Sequence, residues 1–383
     1  MRGLVYCLIS ILVLGGCQPD EVNRSRFRRD LNSAFIIRSI EAGDNGEFYC
    51  VGLIHLTDTT VVMKYDQDLN RIHSTAIQSL PQFAGQTVLT RNGSGWLISE
   101  VLKTGNQNEV YLHQTDEAFA ILHSQLLYSQ LTPVGRRSGT VDEIVAANGA
   151  ITVVLDTGRI NSLGNYENYG YKLMCLNPDL SIRYSFPTNG IVQTKTQILP
   201  SGEVFYCGNS ITTQPQLVYG LIDPTGQERY QNVMKRDVQF AGMIGVASTS
   251  KGMVIQRVAN SDQLLIYNLI EPQFGDPIKE TVIAENHLNF DVFGGNPLPA
   301  QLTGENGLAL LNHEKLMLEY LTFDEDLNPS LRFTARPHGI PWIQSFRQLH
   351  TTRNTVIIGQ SLEDRGNYDF VLQEFEMNGE LVE

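Results

Sequence analysis

Phe35-Ile36-Ile37-Arg38-Ser39-Ile40, Asp44-Asn45-Gly46, the run Glu47 to Gly52, Val61-Val62-Met63-Lys64-Tyr65, Asp66-Gln67-Asp68-Leu69-Asn70 and the run Arg71 to Ile77 make up the stretch whose reading decides the fold. The first, third, fourth and last pieces are short, apolar and rich in β-branched and aromatic residues, as strands are. Asp44-Asn45-Gly46 is a tight turn, because Asn and Gly accept the positive φ that such turns require. Asp66 opens the second turn, where an Asp side chain bonds its own backbone two residues on. The stretch therefore predicts four strands in about fifty residues.

The same order returns along the chain. The first turn reappears at Asn92-Gly93, Asn148-Gly149, Ser201-Gly202, Lys251-Gly252, Glu305-Asn306-Gly307 and Arg353-Asn354. The third strand with its turn reappears at Leu173 to Leu180, Leu221 to Gly226, Leu321 to Asn328 and Leu372 to Gly379, with degraded copies at Thr115-Asp116-Glu117 and Glu271-Pro272-Gln273. No long stretch places apolar residues at helical spacing. Seven four-stranded antiparallel units of this length predict an all-β, seven-bladed β-propeller, in which radial packing buries both faces of each sheet. The body from 33 to 383 divides into seven such units, one domain with almost nothing left over. The seventh unit runs out of chain after Leu381. Its fourth strand is either very short or supplied by the segment near Arg26 to Leu31. A shared last sheet that locks the ring favours the second arrangement.

The N-terminus carries a separate message. Met1-Arg2-Gly3 precedes an apolar run from Leu4 through Leu14. That run is too short for a bilayer, which takes roughly 20 residues, and fits the core of a secretory signal. It ends Leu14-Gly15-Gly16-Cys17, which resembles the bacterial lipobox. The resemblance implies cleavage after Gly16 and a lipid on Cys17, so 1–16 is a signal peptide and 17–32 a lipidated, short basic tether. Gln18-Pro19-Asp20-Glu21 looks like the export tag of some Gram-negative surface lipoproteins, leaving the surface and periplasmic sides of the outer membrane both open. Arg24, Arg26, Arg28 and Arg29 either lie on anionic headgroups or keep a linker solvated.

Composition narrows the function. The chain has 28 basic and 41 acidic residues, net −13, without a basic patch beyond the tether, which argues against a nucleic-acid partner. Of five cysteines, Cys7 leaves with the signal and Cys17 takes lipid. Cys50, Cys175 and Cys207 are expected to stay unpaired, since repeat-equivalent positions in a ring stand apart. No Cys or His spacing predicts a metal, no phosphate-binding loop or nucleophile motif predicts catalysis, and no cofactor is expected. With only Trp96 and Trp342 in the chain, quinone binding by docking tryptophans is not expected. His73 and His123 occupy equivalent fourth-strand positions, which reads as structural.

In a propeller the first-to-second and third-to-fourth connections emerge on one face, and here they are uniformly tight. The long insertions, at Gln130 to Asp142, Gly158 to Tyr169, His287 to Ala300 and Arg336 to Ile343, all belong to the other face. Elaboration confined to one face marks it as the binding face. Its candidate residues are Arg136, Arg137, Tyr166, Tyr169, Phe293, His338 and Trp342. Phe290, Phe293 and Trp342 can equally fold back over the body. The chain resembles the large class of bacterial propeller lipoproteins whose strands end in Asp-x-x-Gly or Asp-x-x-Leu-Asn turns. The resemblance implies fold rather than activity. The expected function is a lipid-anchored cell-envelope module that binds a protein or glycan. The alternative is an envelope carbohydrate-active enzyme, a hydrolase or lyase, with its carboxylates at the channel mouth, Glu167 and Asp291 being candidates. The anchor is directly testable: Cys17→Ser should abolish palmitate labelling and release the protein from membranes, whereas a mutant that still labels removes the lipobox reading.

Overall fold

The computed structural model describes residues 27–30, 34–55, 57, 59–77, 87–104, 107–131, 140–157, 159–160, 166–167, 170–210, 216–233, 240–247, 253–258, 264–268, 279–282, 306–312, 317–323, 329–335, 343–351, 353–364 and 367–382. The chain starts with β1 (Phe27–Asp30). Blade I is β2 (Phe35–Ala42), β3 (Phe48–Ile54), β4 (Thr59–Tyr65) and β5 (Arg71–Ala76). Blade II is β6 (Leu89–Asn92), β7 (Gly95–Thr104), β8 (Gln107–Thr115) and β9 (Ile121–Leu131). Blade III is β10 (Thr140–Ala147), β11 (Ala150–Asp156), β14 (Gly170–Leu176) and β15 (Ile182–Asn189), with a ribbon of β12 (Arg159–Ile160) and β13 (Tyr166–Glu167) inserted between its middle strands. Blade IV is β16 (Ile191–Ile198), β17 (Val204–Ser210), β18 (Leu217–Ile222) and β19 (Glu228–Val233).

Blade V is β20 (Phe240–Ala247), β21 (Met253–Val258), β22 (Leu264–Asn268) and β23 (Lys279–Val282). Blade VI shows three strands among the described residues, β24 (Asn306–Asn312), β25 (Met317–Phe323) and β26 (Pro329–Ala335). Blade VII is β27 (Ile343–His350), β28 (Thr355–Asp364) and β29 (Asn367–Glu376), with β1 on its outer edge. All pairings are antiparallel. A 3-10 turn forms at Asp44–Gly46, and among the described residues no helix is long and apolar enough to cross a membrane.

Among the described side chains, neighbours along a strand enter opposite seams, as the two-residue period of a strand requires. On β7, Leu97 packs towards blade III with Val110, Leu112, Val153 and Met174. Its neighbours Trp96 and Ile98 pack towards blade I with Tyr49, Val51 and Val62. The Trp96 ring stacks on Phe119 at 5.8 Å and meets Tyr49 edge-on at 5.0 Å. Further seams join blades III and IV through Leu173, Cys175, Val204 and Tyr206, VI and VII through Tyr320, Phe333, Val356 and Phe375, and VII and I through Phe370, Leu372, Phe35 and Ile37. Cys50, Cys175 and Cys207 are in no disulfide and are buried within this packing.

The recurring Asp turns close through the same backbone pair. Asp66 N–H donates to Asn70 O at 3.0 Å, Asn177 N–H to Ser181 O at 2.9 Å, and Asp223 N–H to Gln227 O at 2.9 Å. The carboxylates of Asp66 and Asp223 accept further backbone N–H groups, including Asp68 at 2.9 Å and Thr225 at 2.8 Å. The residue before the closing one has positive φ. It is Gly226 or Gly379 in blades IV and VII, but Leu69 (φ 61), Phe119 (φ 66) and Leu180 (φ 65) in blades I to III. A left-handed L-residue costs roughly 1–2 kcal/mol, and burying a Leu or Phe side chain returns roughly 1.5–3 kcal/mol. All three are buried, at 3%, 5% and 0% exposure, so burial offsets the strain. At Gly226 the adjoining blade supplies the plug instead. A Cβ there would stand 2.6 Å from the Tyr184 ring.

The last blade is closed from both ends of the chain. Val382 N–H donates to Glu374 O at 3.0 Å and Leu381 bridges to Phe375. β1 continues the same edge, with Phe27 opposite Gln373 and Asp30 opposite Phe370. Phe27–Asp30 therefore supplies the outer strand of the last sheet, the arrangement favoured from the sequence, from within the stretch 17–32 read as the tether. Two of the four tether arginines are likewise bound to the body. Arg29 pairs with Asp369 at 2.6 Å, and the Arg28 guanidinium lies 5.5 Å from the Tyr65 ring centre. On the tight-turn side, Arg353 ties the junction of blades VII and I by donating to Gln67 O at 2.9 Å and to both carboxylate oxygens of Glu374 at 2.8 and 3.1 Å. Glu374 is fully buried while Arg353 remains one-third open. Arg353→Ala should lower stability in denaturant unfolding by about 2 kcal/mol, below the ~3–5 kcal/mol of a wholly buried pair. Adding Glu374→Gln to that variant should recover part of the loss, because the uncompensated carboxylate is then gone.

Candidate functional site

Strand one of each blade is the innermost, and near its elaborated-face end it repeatedly breaks register. Bulges fall between Ile37 and Ser39 in β2, Val141 and Glu143 in β10, Val192 and Lys195 in β16, Phe240 and Gly242 in β20, and Ile343 and Ser345 in β27. A bulge adds an unpaired residue and re-aims its side chain. In β10 that residue is Asp142. Its neighbour Val141 packs towards blade II, and Glu143 reaches blade IV. The alternation is interrupted between them, so Asp142 is exposed as a residue while its carboxyl lies among protein atoms.

The surroundings of Asp142 are polar and converge from two blades. Glu143 accepts from the backbone N–H of Thr196 at 2.8 Å and from its hydroxyl at 3.0 Å, and pairs with Lys195 at 3.2 Å. Thr196 also shares a hydrogen bond of 2.9 Å with Thr152. Tyr171, opposite Asp156 across β11 and β14, bonds to the Asp142 carboxyl. Loss of hydration among these protein atoms raises Asp142 to about 6. Asp156 and Glu143 raise it further by charge repulsion, against the opposing pull of Tyr171 and Lys195. Burial likewise pushes up the Cys207 thiol, which lies near Glu143 and Lys195. The arrangement holds one carboxylate, Glu143, in fixed bonds. It leaves a second, Asp142, to exchange a proton near pH 6 and to bond a ligand hydroxyl or amine.

The ribbon of β12 and β13 rises next to this cluster. It leaves the chain just after Asp156 and returns just before Tyr171, and it pairs Ile160 with Tyr166. Tyr166 is thus placed on the insertion that borders Asp142. Arg136, Arg137, Tyr169, Phe293, His338 and Trp342 lie outside the described residues, as do Cys17, Phe290 and Asp291. The insertion assigned to Gln130 to Asp142 is shorter than its sequence suggests. Gln130 and Leu131 complete β9, and Thr140 to Asp142 begin β10.

A second polar group, also unreadable from spacing, crosses three strands of blade II. His113 Nε2 lies 3.1 Å from Glu100, and His113 Nδ1 lies 2.8 Å from the hydroxyl of Ser124. The Tyr111 ring stacks on His113 at 5.9 Å. Glu100 and His113 are buried at 4% and 5% exposure, while Ser124 is exposed on the outermost strand. The ladder satisfies buried polar groups within the blade, as such groups require. His73, expected to be structural, is exposed on β5 and bonds Thr75 at 2.7 Å. Among the described residues no three His, Cys, Asp or Glu side chains gather as a metal site would need.

No protein-family model matches the chain, and no curated protein matches it. Among solved structures, the Dos1 propeller is 14% identical, with a TM-score of 0.50 over 91% of this chain and 80% of that one. An ACO/RPE65 chimera is 12% identical, with a TM-score of 0.44 over 76% and 70%. A subtype N10 neuraminidase-like protein is 7% identical, with a TM-score of 0.43 over 90% and 97%. At such identities the likeness to the Dos1 propeller concerns fold alone. Together with the repeated four-stranded antiparallel sheets, it identifies the class of this molecule as a β-propeller.

The raised Asp142 has a definite consequence for stability. Its folded value of about 6 lies above the ordinary 3.8, so the native state binds the proton more tightly than the unfolded chain. Stability therefore falls as pH rises from about 4 to about 6, and stays lower above that window. Asp142→Asn should melt at the same temperature as the parent at pH 4 and at a higher temperature at pH 7.5, read by thermal scans at both values.

Proposed function

We propose that this chain is a lipid-anchored cell-envelope protein whose propeller offers its elaborated face to a protein or glycan partner. The observation that carries the reading is Asp142. A bulge takes this residue out of the alternation of the innermost strand, at the foot of the Tyr166 ribbon and beside Lys195 and Tyr171. A few convergent polar groups under an aromatic-bearing loop suit the recognition of hydroxyl-rich or peptide ligands. The anchor is inferred from the lipobox resemblance at Cys17, and the outer membrane is its proposed location.

The carbohydrate-active alternative has one observation in its favour, a carboxyl at the channel mouth held near pH 6, where a general acid works best. Against it, hydrolysis at a glycosidic bond takes two working carboxyl groups. Here Glu143 is committed to Thr196 and Lys195, and Asp156 is buried at 6% exposure. Among the described residues the geometry around Asp142 therefore favours binding over cleavage.

A glycan array and an envelope-extract crosslinking screen, both using soluble Cys17→Ser protein, test the proposal. Once a ligand is found, joint replacement of Tyr166, Tyr169 and Trp342 by Ala should weaken it about thirtyfold, the ~2 kcal/mol of hot-spot aromatics. Asp142→Asn should weaken it as well, while Asp68→Ala on the tight-turn face should leave it unchanged. Melting temperature lost with binding intact would make the three rings packing residues. Release of a sugar product, abolished by Asp142→Asn, would establish the enzyme instead.

A further inference from the structure

We infer that the propeller stands on the membrane by its tight-turn face, with the elaborated face and Asp142 turned away from the bilayer. The inference rests on the lipid at Cys17 and adds a direction to it. β29 runs towards the tight-turn end, reaching it at Glu376, where the last turn begins. β1 is antiparallel to it, with Phe27 opposite Gln373 and Asp30 opposite Phe370. The chain before Phe27 therefore arrives from the tight-turn end. Leu381 and Val382 occupy the same edge just below it.

Length sets the preference. Residues 18–26 separate the lipidated cysteine from β1. Fully extended they span about 30 Å, at ~3.3–3.6 Å per residue. Along β29, Gln373 lies three residues from the tight-turn end and six from the elaborated end, roughly 10 Å and 20 Å at strand rise. Laying the elaborated face on the bilayer would need a chain reversal, a climb of ~20 Å and then clearance of the loops above. That uses nearly the whole leash. The start of the leash is also fixed. Peeling β1 away to gain length would break the Arg29–Asp369 pair and the Arg28–Tyr65 contact.

The surface at the tight-turn end agrees. Ile72, Leu122, Ile182 and Leu331 are 52%, 64%, 44% and 54% exposed, each within the first three residues of an outermost strand, directly after a turn. They give that rim aliphatic groups at the height where a surface would meet them. Leu126 and Val233, also exposed, lie further along their strands. The turn tips carry Asp68, Asp179 and Asp223, so the fitting surface is a zwitterionic one without net negative charge. The occupant is the headgroup layer of the leaflet that holds the lipid.

The test places one alkyne-bearing residue at position 68, in the tight turn of blade I, or at position 57, in its elaborated-face connection. A fluorophore is attached there, and the full lipidated chain is reconstituted into phosphatidylcholine vesicles carrying a headgroup quencher. The label at 68 should be quenched at least threefold more strongly than the label at 57. Equal quenching, as for a disc lying on its side, or stronger quenching at 57, overturns the inference. A second arm uses the chain beginning at Cys17 and couples that thiol to a maleimide lipid, so the direction is read even where native lipidation fails. Failure of the native chain to float with vesicles, beside the expected quenching in the coupled arm, would remove the anchor reading and keep the orientation. Insertion of twenty Gly and Ser residues before Phe27 should bring the two labels to equal quenching.

Discussion

A sheet whose two faces are both apolar has no stable existence alone, and the rest of this structure depends on that constraint. Trp96 and Ile98 need blade I while Leu97 needs blade III, and the same division holds along β11 and β14. No blade can be removed without exposing a face on each neighbour. Closure follows as a necessity, because an open stack would leave two apolar faces in water. β1 supplies that closure by hydrogen bonds at the edge of blade VII, while Phe35 and Ile37 pack against Phe370 and Leu372 to seal the seam with blade I.

The seams also explain which turns repeat strictly and which do not. At the tight-turn end each third-to-fourth turn must cap the gap to the preceding blade. Leu69, Phe119 and Leu180 do so with their own side chains, and Gly226 leaves the gap to Tyr184. Either solution fixes the length of the turn and leaves no room for insertion. The elaborated end has no such duty. There the innermost strands shift register, buried polar groups such as Glu100, Asp156, Asn209 and Gln360 enter the second strands, and the β12–β13 ribbon is accommodated. Freedom to vary and exposure of polar chemistry thus occur together on one face, for the same packing reason.

Much of the architecture was legible because it rests on period and on turn chemistry. The run Val61 to Tyr65, the Asp66 turn and the tight turns at Asn148-Gly149 and Ser201-Gly202 show in the sequence as they stand in the fold. What was not legible depends on register. Asp142 follows a Gly- and Arg-rich loop and reads as its last residue. Only the pairing of Val141 with Leu155 and of Glu143 with Val154 reveals a bulge. Glu100, His113 and Ser124 are separated by 13 and 11 residues, and only the alignment of three strands brings them together. That a segment near Arg26 to Leu31 completes the last sheet followed from the missing fourth strand, but the individual partners of Arg28 and Arg29, Tyr65 and Asp369, depend on register. A repeat signal that would show the bulge exists, since innermost strands of several blades shift at the same height, but it is expressed in backbone pairing and not in residue type.

The double closure of blade VII joins the two messages of this chain. Lipid attachment needs a free segment next to Cys17, whereas ring closure needs an N-terminal strand fixed in a sheet. Residues 18–26 separate the two demands by a span of only about 30 Å. Because β1 is stitched to β29 through Arg29 and Asp369 as well as through the backbone, a pull on the proposed lipid would be delivered to the edge of blade VII. The first bonds under load are those of Phe27 with Gln373, and behind them stand Gln360 and Gln373, which bond each other at 2.7 Å inside the blade. On the proposed lipid at Cys17, the anchor would join the molecule at the edge of blade VII where β1 meets β29, so its firmness there would depend on the pairing that also completes the last sheet.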